Sequence, residues 1–201
     1  MDKRLIQFIT AIMAAAIVMI LHELPKSLLY CTKEGKLSKK SLYRILSIQH
    51  YIDPIGVVLC VTTFAGFSKP HMYRIKNKSL NKALGITGFI SLAVIYLISV
   101  FVLKHVFGLN HTMEYRTSIS LFEEILLYLF CNISFISFGM FLVNLFPIAT
   151  FDMGNLIAGI SPVKFFDYVR KDYFTKIILI FILMLGIVTD ISEMVLRILL
   201  G

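Results

Sequence analysis

The chain reads as all-α: a multi-pass membrane helical bundle with about four full spans and one re-entrant segment. Three observations point there. Of 201 residues, 58% are hydrophobic and 16% charged, and the mean hydropathy is +0.82, more apolar surface than one water-soluble core can hide. The apolar residues come in long runs without the alternation of a strand, and a bilayer tolerates spanning backbone only as helices or closed barrels. The lysines and arginines gather in a few connections between those runs.

The first run, residues 5–30, follows a basic start with the outline of a signal peptide. It carries on without a break into His22 and Glu23 and is long enough to anchor, so a retained helix is expected. The second, "IDPIGVVLCVTTFAGF" at 52–67, is short and broken by Asp53, Pro54, Gly56 and Gly66, which suggests a segment that dips in and returns. Residues 84–106, 119–146 and 177–200 each reach the roughly 20 residues needed to cross the hydrocarbon. Together they make a single membrane domain, 1–201. Cys31, Cys60 and Cys131 stand at no metal-like spacing and read as free, buried thiols.

Charge supports the re-entrant reading. Lys33, Lys36, Lys39, Lys40 and Arg44 precede the short segment, and Lys69, Arg74, Lys76, Lys78 and Lys82 follow it. A full crossing would put one of these basic connections outside the cell; a return keeps both in the cytoplasm, together with Lys164, Arg170 and Lys171. The outer side then holds Lys3, Arg4, Lys104, Arg116 and Arg197, with the amino terminus outside the cell membrane. Anionic lipid headgroups beside the basic loops account for the net charge of +8. The chain carries no nucleic-acid motif, phosphate loop or internal repeat, and binding of nucleic acid is not expected.

Polar groups inside a membrane are costly, and each needs a partner or a function. In chain order they are His22, Glu23, Lys26, Asp53, Asn132, Asn144 and Asp152. Any one of them alone reads as an interhelical hydrogen bond. As an ordered set, "HELPK" at 22–26, "HYIDPIGVVLC" with "FAGFSKP" between 50 and 70, and "NLFPIATFDMGN" at 144–155 cover most of the chain. In this set the chain resembles the site-2 protease family of intramembrane zinc metalloproteases. That family's His-Glu-x-x-His helix supplies two zinc ligands and a general base, and its Asn-x-x-Pro followed by Asp-Gly supplies the third ligand. The resemblance implies Glu23 as general base, His22 and Asp152 as metal ligands, and supporting places for Asn144, Pro147, Asp53, Pro54 and Gly56.

The departures touch the chemistry. Lys26 stands in place of the second histidine, Tyr51 in place of the histidine before Ile52-Asp53-Pro54, and Met153 separates Asp152 from Gly154. The family's Ala-Gly-Pro-x-x-Asn turn is replaced by "TGFISL" at 87–92. Zinc hydrolysis needs three protein ligands, an open position for water and a carboxylate to take its proton. His22 and Lys26, at i and i+4, share a helical face, but an ammonium offers no lone pair. Desolvation lowers a lysine's pKa, so a neutral amine ligand is one reading. The simpler one is that Lys26 replaces the metal's charge, pairing with Asp152 and taking Glu23 or His22 as a third member.

Pro25 removes the hydrogen bond to the Leu21 carbonyl, so the helix either kinks there or stops. His50 is the candidate to complete an altered metal site with His22 and Asp152; His71, His105 and His111 read as surface residues. Asp190, Glu193 and Arg197 read as an interfacial salt-bridge set, and Glu123 and Glu124 as interface charges. Two functions stay open. One is a pseudoprotease that binds or shields a partner's transmembrane helix; the other is an active zinc metalloprotease with an altered ligand set. A transporter is the distant third, since no symmetrical broken-helix halves are evident.

Overall fold

The computed structural model describes residues 3–33, 47–70, 77–109 and 120–201. Lys36, Lys39, Lys40, Arg44, His71, Arg74, Lys76, His111 and Arg116 lie outside the described residues, as does the first residue of the 119–146 span. Among the described residues the protein is all-helical.

Helix α1, Lys3–Lys33, runs through Pro25 without stopping. Its buried stripe changes character along its length: Ala11, Ala14, Ala15, Val18 and Met19 are followed on the same face by His22, Glu23 and Lys26. One helix thus carries an apolar packing surface and, two turns on, the polar cluster. One turn before the proline, the Ser91 hydroxyl reaches the His22 carbonyl at 3.4 Å.

A single turn of 3₁₀ helix, Ile48–His50, leads into α2, Pro54–Thr63. Asp53 caps α2 by accepting from the Ile55 and Gly56 amides, both at 2.9 Å, and Pro54 fills the first turn, where no amide donor is needed. At ten residues α2 is too short to cross a bilayer. Phe64 turns the chain with φ 51°, and residues 65–70 run back extended along α2 until the Lys69 amide meets the Tyr51 carbonyl at 3.1 Å. The two ends of this segment are therefore bonded to each other. Gly56 permits the return, because a Cβ there would land on the Phe67 carbonyl oxygen.

Helix α3, Lys78–His105, starts six residues before the run expected at 84, because the Asn77 side chain caps it and accepts from the Ser79 amide at 2.9 Å. Helix α4, Leu121–Asn144, opens with a capping box between Ser120 and Glu123. A seven-residue loop then leads to the short α5, Asp152–Ile160. The stretch expected as one span at 177–200 is two helices, α6 (Pro162–Met184) and α7 (Ile187–Leu200), bent by 59°. The break is at Gly186, whose φ of 73° no helix can contain. α6 also begins well before residue 177, capped by Ser161.

α1, α3 and α4 form the central layer. Lys3 approaches Glu124 at 3.8 Å, so α1 and α4 begin at the same end, and α3 runs against both. Ala14, Val18, Met19, Leu92, Ile136 and Met140 make the core between them. α5 lies on α3 through glycines: a Cβ on Gly85 would stand 2.7 Å from the Asp152 carbonyl oxygen, and one on Gly159 2.5 Å from the Lys82 nitrogen. The outward faces stay apolar, with Leu5, Phe8, Ile9 and Ile12 on α1 and Ile90, Val94, Leu97 and Phe101 on α3 all exposed. α1, α3 and α4 are each long and apolar enough to cross a membrane, and the bent pair α6–α7 adds up to one more span.

Candidate functional site: a buried charge cluster

His22, Glu23 and Lys26 project from one face of α1 at spacings of three and four residues, the spacings that bring helical neighbours together. Asp152 arrives from the first turn of α5, and Ser68 from the extended return strand. All are out of solvent: His22 and Glu23 are 1% exposed, Lys26 2% and Asp152 0%.

The Lys26 ammonium stands between two carboxylates, donating to Glu23 Oε1 at 2.7 Å and to Asp152 Oδ1 at 2.9 Å. The other oxygen of Asp152, Oδ2, lies 2.7 Å from His22 Nε2. His22 Nδ1 is 2.9 Å from Ser68 Oγ, and Ser68 donates to Glu23 Oε1 at 2.7 Å. The contacts close a ring through Lys26, Asp152, His22, Ser68 and Glu23. The pairing expected of Lys26 and Asp152 is present, and both proposed third members take part.

Donor counting fixes the charge. Ser68 has one hydroxyl hydrogen, directed to Glu23, so its oxygen must receive the Nδ1–H of His22. His22 Nε2 and Asp152 Oδ2 then share a single proton, whichever atom carries it. With ammonium at Lys26 and carboxylate at Glu23, the cluster has no net charge. Neutrality matters here, because an uncompensated charge in so dry a place costs several kcal/mol.

The supporting residues hold Asp152 in position. Asn144 Oδ1 accepts from the Asp152 amide at 3.2 Å, while Asn144 Nδ2 donates to the Met140 carbonyl at 2.9 Å. Pro147 lies in the loop between them, where the missing amide suits the end of α4. Ala149 N donates to Asp172 at 3.1 Å and ties that loop to α6. Gly88 on α3 leaves the space that the Asp152 carboxylate fills; a Cβ there would overlap it. Asp53, Pro54 and Gly56 serve the geometry of α2 and its return strand.

His50 is not brought to the cluster. It is exposed, with its Nδ1 3.0 Å from Ser47 Oγ. Tyr51 is the residue that turns inward; it is fully buried beside Ser27 of α1. The expected set of His22, His50 and Asp152 is therefore not assembled. The residues present do not fit a zinc site: both ring nitrogens of His22 face protein partners, and an ammonium stands where two carboxylate oxygens converge. Among the described residues no group of three or more His, Cys, Asp and Glu side chains is placed to hold a metal ion.

Two members carry little signal in the sequence. Ser68 lies inside "FAGFSKP", a small hydroxyl between aromatic and basic residues. Gly88 lies in "TGFISL", where one glycine among apolar residues of a long helix is inconspicuous. Comparison of the chain with protein-family models, curated proteins and solved structures gives no match.

Proposed function

We propose that this is a membrane protein of site-2 protease type in which Lys26 has replaced the metal, and that it binds or shields a partner's transmembrane helix without cutting it. The observation that carries the reading is the Lys26 ammonium bonded at once to Glu23 and Asp152, the residues that resemble the general base and a zinc ligand. A carboxylate bonded to a buried ammonium is a poor base for water, and a cation at that point repels zinc. The polar core survives as a structural lock, while the surrounding helices keep an apolar surface suited to another helix.

In this reading the protein lies in the cell membrane with α2 and its return strand re-entrant. The ends near Lys33, Lys69 and Lys78 face the cytoplasm and its anionic headgroups, and the ends near Lys3, Lys104 and Arg197 face outward. Metal content tests the central claim. Protein purified in detergent and dialysed against trace zinc is expected to carry no stoichiometric metal, whereas Lys26→His regains up to one zinc per chain. Stoichiometric zinc in the unaltered protein, lost on His50→Ala, would establish an active metalloprotease with an altered ligand set and remove the proposal.

A further inference from the structure

A second polar feature lies far from the charge cluster. Between α1 and α4 is a groove of about 270 Å³, lined by Gln7, Phe8, Val61, Phe64, Tyr128 and Asn132. Val61 and Phe64, from the turn between α2 and its return strand, form part of its lining.

The groove contains no charge and several incompletely used hydrogen-bonding groups. Asn132, 9% exposed, donates one N–H to Thr10 Oγ1 at 3.1 Å; Thr10 is itself anchored to the Ile6 carbonyl at 2.8 Å. The bond orients the amide, and its carbonyl oxygen has no partner among the described residues. The side chains of Gln7 and Tyr128 likewise have none there. Asn132 sits eleven residues beyond the start of α4, about 16 Å along the axis at 1.5 Å per residue, a depth remote from the headgroups. An unpaired amide oxygen facing hydrocarbon at that depth is costly, and an acyl chain offers it nothing.

We infer that this groove is the docking site for a transmembrane helix that carries an uncharged polar side chain, an amide or hydroxyl, opposite Asn132. The inference rests on the partner-helix reading above and gives it a location. Phe8, 54% exposed at the rim, supplies apolar contact, while Asn132, Tyr128 and Gln7 supply the hydrogen bonds that select the partner.

The test uses the full chain in phosphatidylcholine vesicles with a benzophenone photocrosslinker installed at position 8. The probes are two synthetic spanning peptides, a leucine–alanine helix with one central asparagine and the same helix with leucine there. The asparagine peptide is expected to be captured about fivefold more than its control, the ratio one interhelical hydrogen bond supports. Asn132→Leu abolishes the preference, and Tyr128→Phe, which deletes one oxygen, reduces it. Equal capture of both peptides, a preference that survives Asn132→Leu, or chain-to-chain crosslinks in excess of peptide would overturn the inference. Its failure is distinct from failure of the wider reading: a peptide captured and then cut leaves the groove standing and removes the non-cutting function, whereas indifference to the peptide beside a metal-free wild type removes only the groove.

Discussion

Lys26 has the clearest individual consequence. Replacing it with methionine removes one positive charge from a ring whose proton count is balanced, leaving Glu23 without its cation. Breaking a buried pair in this way costs about 3–5 kcal/mol. Lys26→Met is therefore expected to unfold at markedly lower temperature in detergent, and adding Glu23→Gln, which restores neutrality, should recover much of the loss. Equal stability of wild type and Lys26→Met would show that the ammonium is not the balancing charge. Ser68 gives a smaller, separable effect: Ser68→Ala deprives Glu23 of a donor and His22 of an acceptor while removing one oxygen. The expected cost is about 1–3 kcal/mol, measured by the same thermal denaturation. At this scale the sequence was informative about charged residues and poor about neutral ones. A lysine one helical turn beyond a histidine in an apolar run is conspicuous, and the resemblance, which sets Lys26 and Asp152 at ligand positions, singled out its partner. Ser68 and Tyr51 could not be inferred, because a serine before Lys69 and a tyrosine beside His50 look like ordinary residues at a membrane surface until the return strand and the 3₁₀ turn orient them.

Helices α3 and α5 meet through glycine, and two glycines in the chain act by different physical means. At Gly88 the limit is space, since a Cβ would overlap the Asp152 carboxylate. At Gly186 the limit is the backbone, since φ is 73° and a Cβ there would have nothing within 4 Å. Gly186→Ala should cost about 1–2 kcal/mol, the left-handed penalty of an L-residue, and be indifferent to changes in the charge cluster. Gly88→Ala should cost about 1–3 kcal/mol by overpacking, and Asp152→Ala should relieve that increment in a double-mutant cycle. A Gly88→Ala cost that is additive with Asp152→Ala would mean the carboxylate does not occupy that space. The spans at 5–30, 84–106 and 119–146 were legible because apolar runs of that length have few alternatives; the largest shift, six residues at the start of α3, comes from the Asn77 cap, and the other ends moved by one to three residues. The α6–α7 break was not legible. "FILMLGIVTD" is continuously apolar up to its last residues, and one glycine in a membrane helix is ordinary; only the tertiary packing of Leu179, Leu183 and Val188 against Ala65, Val143 and Ile148 reveals why the chain turns there.

For the whole molecule the decisive element is the segment between Tyr51 and Lys69. Its ends share a hydrogen bond of 3.1 Å, and α2 spans only ten residues, so the chain must leave this segment on the side from which it entered. That single return sets the parity of everything after it: α3 departs from the end where α1 finished, and α4 begins beside Lys3. It also brings the described chain ends near Lys33, Lys69 and Lys78 to one end of the bundle, the arrangement the positive-inside bias favours for a cytoplasmic face. Cysteine labelling tests the arrangement directly. In a background with Cys31, Cys60 and Cys131 replaced by alanine or serine, His50→Cys and Lys69→Cys, both exposed positions, are expected to react with a membrane-impermeant maleimide from the same side, and Lys104→Cys from the opposite one. Lys104 is a suitable reporter because its ammonium reaches the Leu199 carbonyl at 3.2 Å, marking the end of the molecule where α3 and α7 both finish. Labelling of positions 50 and 69 from opposite sides would mean that α2 crosses the bilayer. Ser68 would then be drawn away from His22 and Glu23, and the charge ring could not close, so this one topological result bears on the site as well as on the fold.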